Sequence, residues 1–149
     1  MRMLLATDGS EYSEAAVSEI ARRDLSPGTE VRIVSVAETP SVMTMAPYPV
    51  PLNLPDLEAA ARERAGTAVA CAEAALRTGA DTGRLAIATK ILSGSPKQAI
   101  LADAEEFGAD LIVIGACGHS RLEHFLLGSV AQAVALYAKC SVQIARLRH

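Results

Sequence analysis

Tryptophan is absent from the chain, and aromatic residues make up only 3% of its 149 positions. A core must therefore be built from aliphatic side chains and alanine, and a 50% hydrophobic composition supplies them easily. Basic charge is not in excess either. The formal net charge is −3, and basic residues are interleaved with acidic ones, as in Arg22-Arg23-Asp24. This removes the electrostatic footprint of a nucleic-acid or anionic-membrane binder. Cys71, Cys117 and Cys140 lack CxxC spacing and are odd in number, which argues against a disulfide framework or a zinc site. Reduced thiols in a cytoplasm fit better. Long apolar runs are missing as well. Met1 to Leu5 is far shorter than a signal-peptide core. Phe125 to Ala138 is broken by Gly128, Ser129 and Gln132 and falls short of the roughly 20 residues that span a bilayer. The expectation is a cytoplasmic, soluble protein with one domain over residues 1–149.

What is present is an alternation of strand-like and helix-like segments, the pattern of a parallel sheet with crossover helices. Arg2 to Ala6 is short and apolar and is broken by Thr7-Asp8-Gly9-Ser10. From about Glu11 to Arg23, Ala16, Val17, Ile20 and Ala21 recur at helical spacing. Val31 to Ala37 is a β-branched run suited to a buried strand. Leu57 to Thr78 returns to helix, with Leu57, Ala61, Ala65, Ala68, Ala72 and Ala75 as its stripe. Leu85 to Leu92 reads as the third strand. Ser95-Pro96-Lys97-Gln98 then offers an N-cap serine, a proline at the first helical position and a glutamine three residues after the cap. That helix runs to Phe107 and stops at Gly108. Leu111 to Ile114 is the fourth strand, and a helix from Ser129 to Ala138 leads into a last strand, Val142 to Leu147.

One segment stands apart. Thr39 to Pro55 holds five of the seven prolines and no charged residue, which excludes a regular helix or a central strand. It is expected to be a long loop over about 39–56.

In open α/β sheets ligands bind beyond the carboxyl ends of the strands, where strand order reverses. The segment after strand four, Gly115-Ala-Cys-Gly118-His-Ser-Arg-Leu-Glu-His-Phe-Leu-Leu-Gly128-Ser129, is the informative one. Glycines expose backbone N–H groups to an anion with no Cβ in the way and accept the φ values of tight turns. Gly128-Ser129 opens the final helix, whose free N–H groups form a phosphate site.

The spacing Gly115-x2-Gly118-x9-Gly128-Ser129 resembles the nucleotide-binding signature of ATP-binding universal stress proteins. Leu4 to Ser10 resembles the family's opening strand and acidic turn, Gly94-Ser95-Pro96 its Gly-x-Pro, and Ala109 to Gly115 its fourth strand. The resemblance covers nearly the whole chain apart from the proline-rich loop. It implies a Rossmann-like, doubly wound, five-stranded parallel sheet of order 3-2-1-4-5 with helices on both faces. It further implies that Ala6, Thr7, Asp8 and Val36 surround adenine and ribose, with the Val36 backbone reading the base. Ile114 and Gly115 would lie at the ribose end, and Gly118, His119, Gly128, Ser129 and Val130 would hold the phosphates. ATP would arrive with Mg²⁺, because the sequence offers no carboxylate cage. A homodimer through the last strand, with Val142 and Ile144, is also implied.

Several positions depart from the family pattern. Cys117 stands where His is common and His119 where Arg or Lys is common, so the hold on phosphate is expected to depend on pH. Ser141 replaces a frequent proline, and Gln143 and Ala145 dilute the last strand. The leading reading is a nucleotide-responsive binding module in stress physiology. An enzyme, a slow ATPase or phosphoryl-transfer protein, is the alternative. GxxxxGK[ST] is absent, and only Asp8 or His119 could position an attacking water. A nucleotide-free scaffold is the third reading.

Overall fold

The computed structural model describes residues 1–38, 53–79, 85–119 and 127–147. Its elements run β1 (Arg2–Ala6), α1 (Glu11–Ala21), β2 (Glu30–Ala37), α2 (Leu54–Gly79), β3 (Ala86–Ser93), α3 (Pro96–Phe107), β4 (Leu111–Gly115), α4 (Ser129–Tyr137) and β5 (Ser141–Ala145). The strands form one sheet of order β3-β2-β1-β4-β5, all parallel, as expected. The central strand is β1: Leu5 stands opposite Ile33 of β2 on one side and Val113 of β4 on the other.

Strand side chains alternate between faces, and this alternation divides the core in two. Met3, Leu5, Ile33 and Val113 point to the face covered by Ala16, Val17 and Ile20 of α1 and Val69, Ala72 and Leu76 of α2. Leu4, Ala6, Val34, Ile112 and Ile114 point to the other face, under Ile100 and Ala104 of α3 and Ala131 and Val134 of α4. Helices therefore cover both faces. Alanine takes the place of aromatics at the helix–sheet contacts. The buried stripe of α2 is Ala61, Ala65, Ala68, Val69, Ala72 and Leu76. Ala75, placed in that stripe by its spacing, is exposed, and Leu76 takes the buried position.

The start of α2 corrects the sequence reading. Helix α2 begins at Leu54, so the expected loop does not extend to residue 56; its stretch over residues 39–52 lies outside the described residues. Pro55 is tolerated because first-turn amides have no intrahelical acceptor to lose. Asn53 precedes the helix, accepting from the Leu57 amide at 3.2 Å through its carbonyl and donating from Nδ2 to Asp56 at 2.6 Å. At α3, Ser95 is the N-cap and Pro96 the first helical residue, but the Ser95 side chain makes no capping bond. Gly108 closes α3 in the left-handed conformation, φ 65°, as a C-terminal glycine should.

Among the described residues one charged group is buried. Asp103 of α3 accepts from Arg32 Nη1 of β2 at 3.3 Å and from Lys90 Nζ of β3 at 2.5 Å. The Arg32 guanidinium also lies 4.2 Å from the Phe107 ring centroid. The Asp103 hydrogen bond raises the Lys90 pKa above the ordinary lysine value. At β5, Gln143 turns toward α1, where it meets Arg23 and Glu19. This contact explains a polar residue in the last strand.

Candidate functional site

In this strand order the chain leaves β1 toward β2 on one side and later returns to β4 on the other, so the crevice opens beyond the carboxyl ends of β1 and β4. The turn after β1 is held by hydroxyl groups. The Thr7 amide donates to Val34 O at 2.9 Å, extending the sheet by one bond. Thr7 Oγ1 donates to Ser13 Oγ at 3.1 Å and accepts from the Gly9 amide at 3.3 Å. Ser13 Oγ donates in turn to Ser10 O, and Ser10 caps α1 by accepting the Ser13 amide. Thr7, Ser10 and Ser13 are all buried, so the Thr7 hydroxyl is committed to shaping the turn. Asp8 is exposed, and its Oδ1 accepts the Ser10 amide at 3.0 Å. Sequence reasoning passed over Ser10 and Ser13. The available signal was Ser13 on the same face as Ala16, Val17 and Ile20, three and four residues apart.

Three glycines line the other wall, and each is needed for space. None has a positive φ; among the described residues that conformation belongs to Gly9, Gly28, Gly94 and Gly108. A Cβ on Gly115 would stand 2.6 Å from the Tyr12 backbone, so α1 crosses the end of β4 in direct contact with its main chain. A Cβ on Gly118 would stand 2.7 Å from Asp8 Oδ2, and one on Gly128 would stand 3.2 Å from Cys117 Cα. The Gly128 amide donates to Ala116 O at 2.8 Å, which ties the start of α4 to the end of β4. His119 closes the arrangement, with Nε2 2.7 Å from Asp8 O. Gly118, His119, Gly128 and Asp8, far apart in sequence, thus meet at one place.

At α4, Gly128 is the N-cap, and the first helical bond runs from Gln132 to Gly128 O. The amides of Ser129, Val130 and Ala131 precede that ladder and face the dipole's positive end. Ser129 is exposed, whereas Val130 packs on the core, leaving only its backbone for a ligand. Ala6 and Ile114 are likewise core residues. Val36 lies on β2 two residues beyond Val34, the last residue paired with β1. By the two-residue alternation its peptide groups point to the same side as Val34 O, which receives the Thr7 amide.

The universal stress protein family matches residues 1–146. The chain belongs to that family. A universal stress protein of Methanocaldococcus jannaschii is 45% identical over 60 residues, 40% of this chain and 35% of that protein. The chain thus spans only a little over a third of the curated relatives it matches. Among solved structures, a universal stress protein in complex with cAMP superposes with TM-score 0.68 at 26% identity, covering 97% of this chain and 96% of that one. An Arabidopsis thaliana family member with AMP bound superposes with TM-score 0.70 at 14% identity, covering 99% and 92%. The second likeness speaks for the fold alone.

A cavity of about 300 Å³ lies at the opposite end of this universal stress protein's sheet, lined by Leu101, Ala104, Ile112, Ala138, Lys139 and Cys140 among others. Burial, and secondarily Asp110, pushes the Cys140 thiol pKa up. The cavity lies at the amino ends of β4 and β5, away from the glycine wall. Among the described residues no helix is long and apolar enough to cross a membrane, and no His, Cys, Asp or Glu cluster could hold a metal ion.

Proposed function

We propose that this universal stress protein binds ATP across the carboxyl ends of β1 and β4, as a nucleotide-responsive module of a single domain. The observation that carries the reading is the junction of Gly118 and Gly128 with Asp8 at the start of α4. There the missing Cβ atoms let Asp8 and the end of β4 close on the head of α4, whose first amides have no intrahelical acceptor and can serve a phosphate. Thr7, Asp8 and the Val36 backbone take adenine and ribose, next to Ala6, Ile114 and Gly115. Gly118, His119, Gly128, Ser129 and the Val130 backbone take the phosphates. The cAMP complex of the 26%-identical relative supports an adenine nucleotide. Mg²⁺ would enter on the phosphate oxygens, since hard cations bind nucleotides readily without a protein cage.

The protein acts in the cytoplasm as a homodimer through the β5 edge. Val142 and Ile144 pack on the α3–α4 face of the sheet, and α4 leaves Leu136 and Tyr137 about 70% exposed beside that edge. Nucleotide occupancy alters the crevice and thereby the surface offered to a partner, which requires that ATP bind one state better than the other.

The test is to purify the protein without added nucleotide, release any bound ligand by heat, identify it by chromatography, and then titrate the protein with Mg-ATP calorimetrically. Micromolar binding, about −8 kcal/mol, is expected, and Gly128→Val should abolish it. No released nucleotide and no heat at millimolar ATP would overturn the reading in favour of a scaffold. Turnover that disappears in Asp8→Ala or His119→Ala while binding persists would convert the module into an enzyme.

A further inference from the structure

His119 belongs to the glycine wall but bonds across the crevice, 2.7 Å from the Asp8 carbonyl oxygen. A carbonyl only accepts, so Nε2 carries the proton and donates. In the neutral ring this leaves Nδ1 as a bare lone pair, which repels a phosphate oxygen. Protonation keeps the bond to Asp8, turns Nδ1 into a second donor and adds a positive charge. The clasp therefore holds in both charge states, while affinity for anions changes between them.

The neighbouring geometry places that ring beside the proposed phosphate position. Gly118, directly before His119, is wedged between Asp8 Oδ2 and the start of α4; a Cβ built on Gly128 lies 3.8 Å from the Gly118 amide nitrogen. Among the described residues, the charged and titratable groups nearest His119 are the Asp8 carboxylate from the β1–α1 turn, the Cys117 thiol on its own segment and the positive end of α4. A bound phosphate tail adds one to three negative charges, which favour the charged ring.

Resting on the nucleotide reading above, we propose that His119 is the specificity-determining residue of this site. It clasps the β1 turn to the glycine wall in either state and takes up a proton when a polyphosphate binds. The site then prefers nucleotide over nucleoside by a margin that grows as pH falls. A lysine there would hold phosphate equally well throughout the neutral range.

The experiment is calorimetry of the full chain with Mg-ATP and with adenosine between pH 6 and 8.5, each in two buffers of different ionisation heat. Wild type is compared with His119→Gln, which can still donate to Asp8 O without titrating, and with His119→Lys, which stays charged. The terminal phosphate of ATP titrates near pH 6 by itself, but equally for all three proteins, so differences between them report position 119. Wild type is expected to take up a fraction of a proton more than His119→Gln on binding ATP. Its affinity should weaken, relative to that variant, by up to about tenfold per pH unit through the imidazole range. Adenosine should show neither effect, and His119→Lys should bind ATP without the added slope. Equal slopes and proton counts in wild type and His119→Gln, with ATP bound by both, would overturn the role of His119 and leave the site standing. No heat from either ligand in any protein would overturn the site itself, and the inference with it.

Discussion

Gly115→Ala is expected to destabilise the fold through one contact. A Cβ at this position would lie 2.6 Å from both the carbonyl carbon and the oxygen of Tyr12, and 2.9 Å from the Ser13 nitrogen. An ordinary contact begins near 3.4 Å, so the main chain of α1 would have to retreat by about 0.8 Å, the difference of those two distances. No side chain can rotate to relieve this, because every atom met is backbone. The same turn of α1 carries the Thr7–Ser13–Ser10 hydroxyl chain, and the helix buries Ala16, Val17 and Ile20 just beyond it. Overpacking of a well-packed core costs about 1–3 kcal/mol, and a clash confined to backbone belongs at the upper end, about 2–3 kcal/mol. With a urea m-value of about 2 kcal/mol/M, the unfolding midpoint should fall by about 1–1.5 M. Urea titration followed by far-UV circular dichroism measures this directly. Gly128→Ala is the internal control: its Cβ meets Cys117 Cα at 3.2 Å, a strain that a shift of a few tenths of an ångström relieves. A Gly115→Ala midpoint within about 0.2 M of wild type would refute the argument that this glycine exists for the approach of α1.

Gly118→Ala should behave in the opposite way. Its Cβ meets only the Asp8 carboxylate, which can turn aside, so stability should stay within about 0.5 kcal/mol of wild type, while ATP affinity drops at least tenfold. Asp103→Ala should cost about 1–3 kcal/mol by urea unfolding, less than the roughly 3–5 kcal/mol of a fully buried pair, because the Arg32 and Lys90 side chains it abandons are 22% and 39% exposed. Folded Lys90 holds its proton more tightly than the unfolded chain does, so its contribution is complete below about pH 10.5 and is lost as pH rises through the folded value. Wild type should accordingly lose stability more steeply than Lys90→Met in that alkaline range. Iodoacetamide at pH 8 should modify exposed Cys71 first and Cys140 about tenfold more slowly, with equal rates after unfolding in urea.

The sheet could be read from the sequence because its strands advertise themselves locally. Leu111 to Ile114 has no polar interruption, Arg2 to Ala6 ends on Thr7-Asp8-Gly9, and the residues between strands repeat at helical spacing. Strand order is not local, and only the family resemblance supplied it. Helix α2 starts three residues before its expected position because proline, read there as a breaker, is compatible with a first turn. Ser95 has the residue type of a cap but not the bond, since residue identity fixes a preference and not a rotamer. The Arg32–Asp103 pair, 71 residues apart, left no trace in any window of the sequence. Nor did the clasp of His119 on Asp8, 111 residues apart, although each residue stands out in the sequence by itself.

The glycine spacing joins two physical demands that a motif alone does not separate. The glycines were expected for free amides and unusual φ values, yet none of the three at this site leaves the ordinary φ region. Each is a place where another element comes too close for a Cβ: α1 at Gly115, Asp8 at Gly118, and the end of β4 at Gly128. Gly115 is therefore a packing residue that brings α1, and with it the Asp8 turn, over the end of β4. Only then can Gly118 and Gly128 bring the Asp8 turn and the head of α4 to one point. Formation of the phosphate site thus depends on the Gly115 contact even though Gly115 need not touch a phosphate. A Gly115→Ala protein that remains folded in mild conditions should accordingly lose nucleotide affinity as well as stability, whereas Gly118→Ala should lose affinity alone.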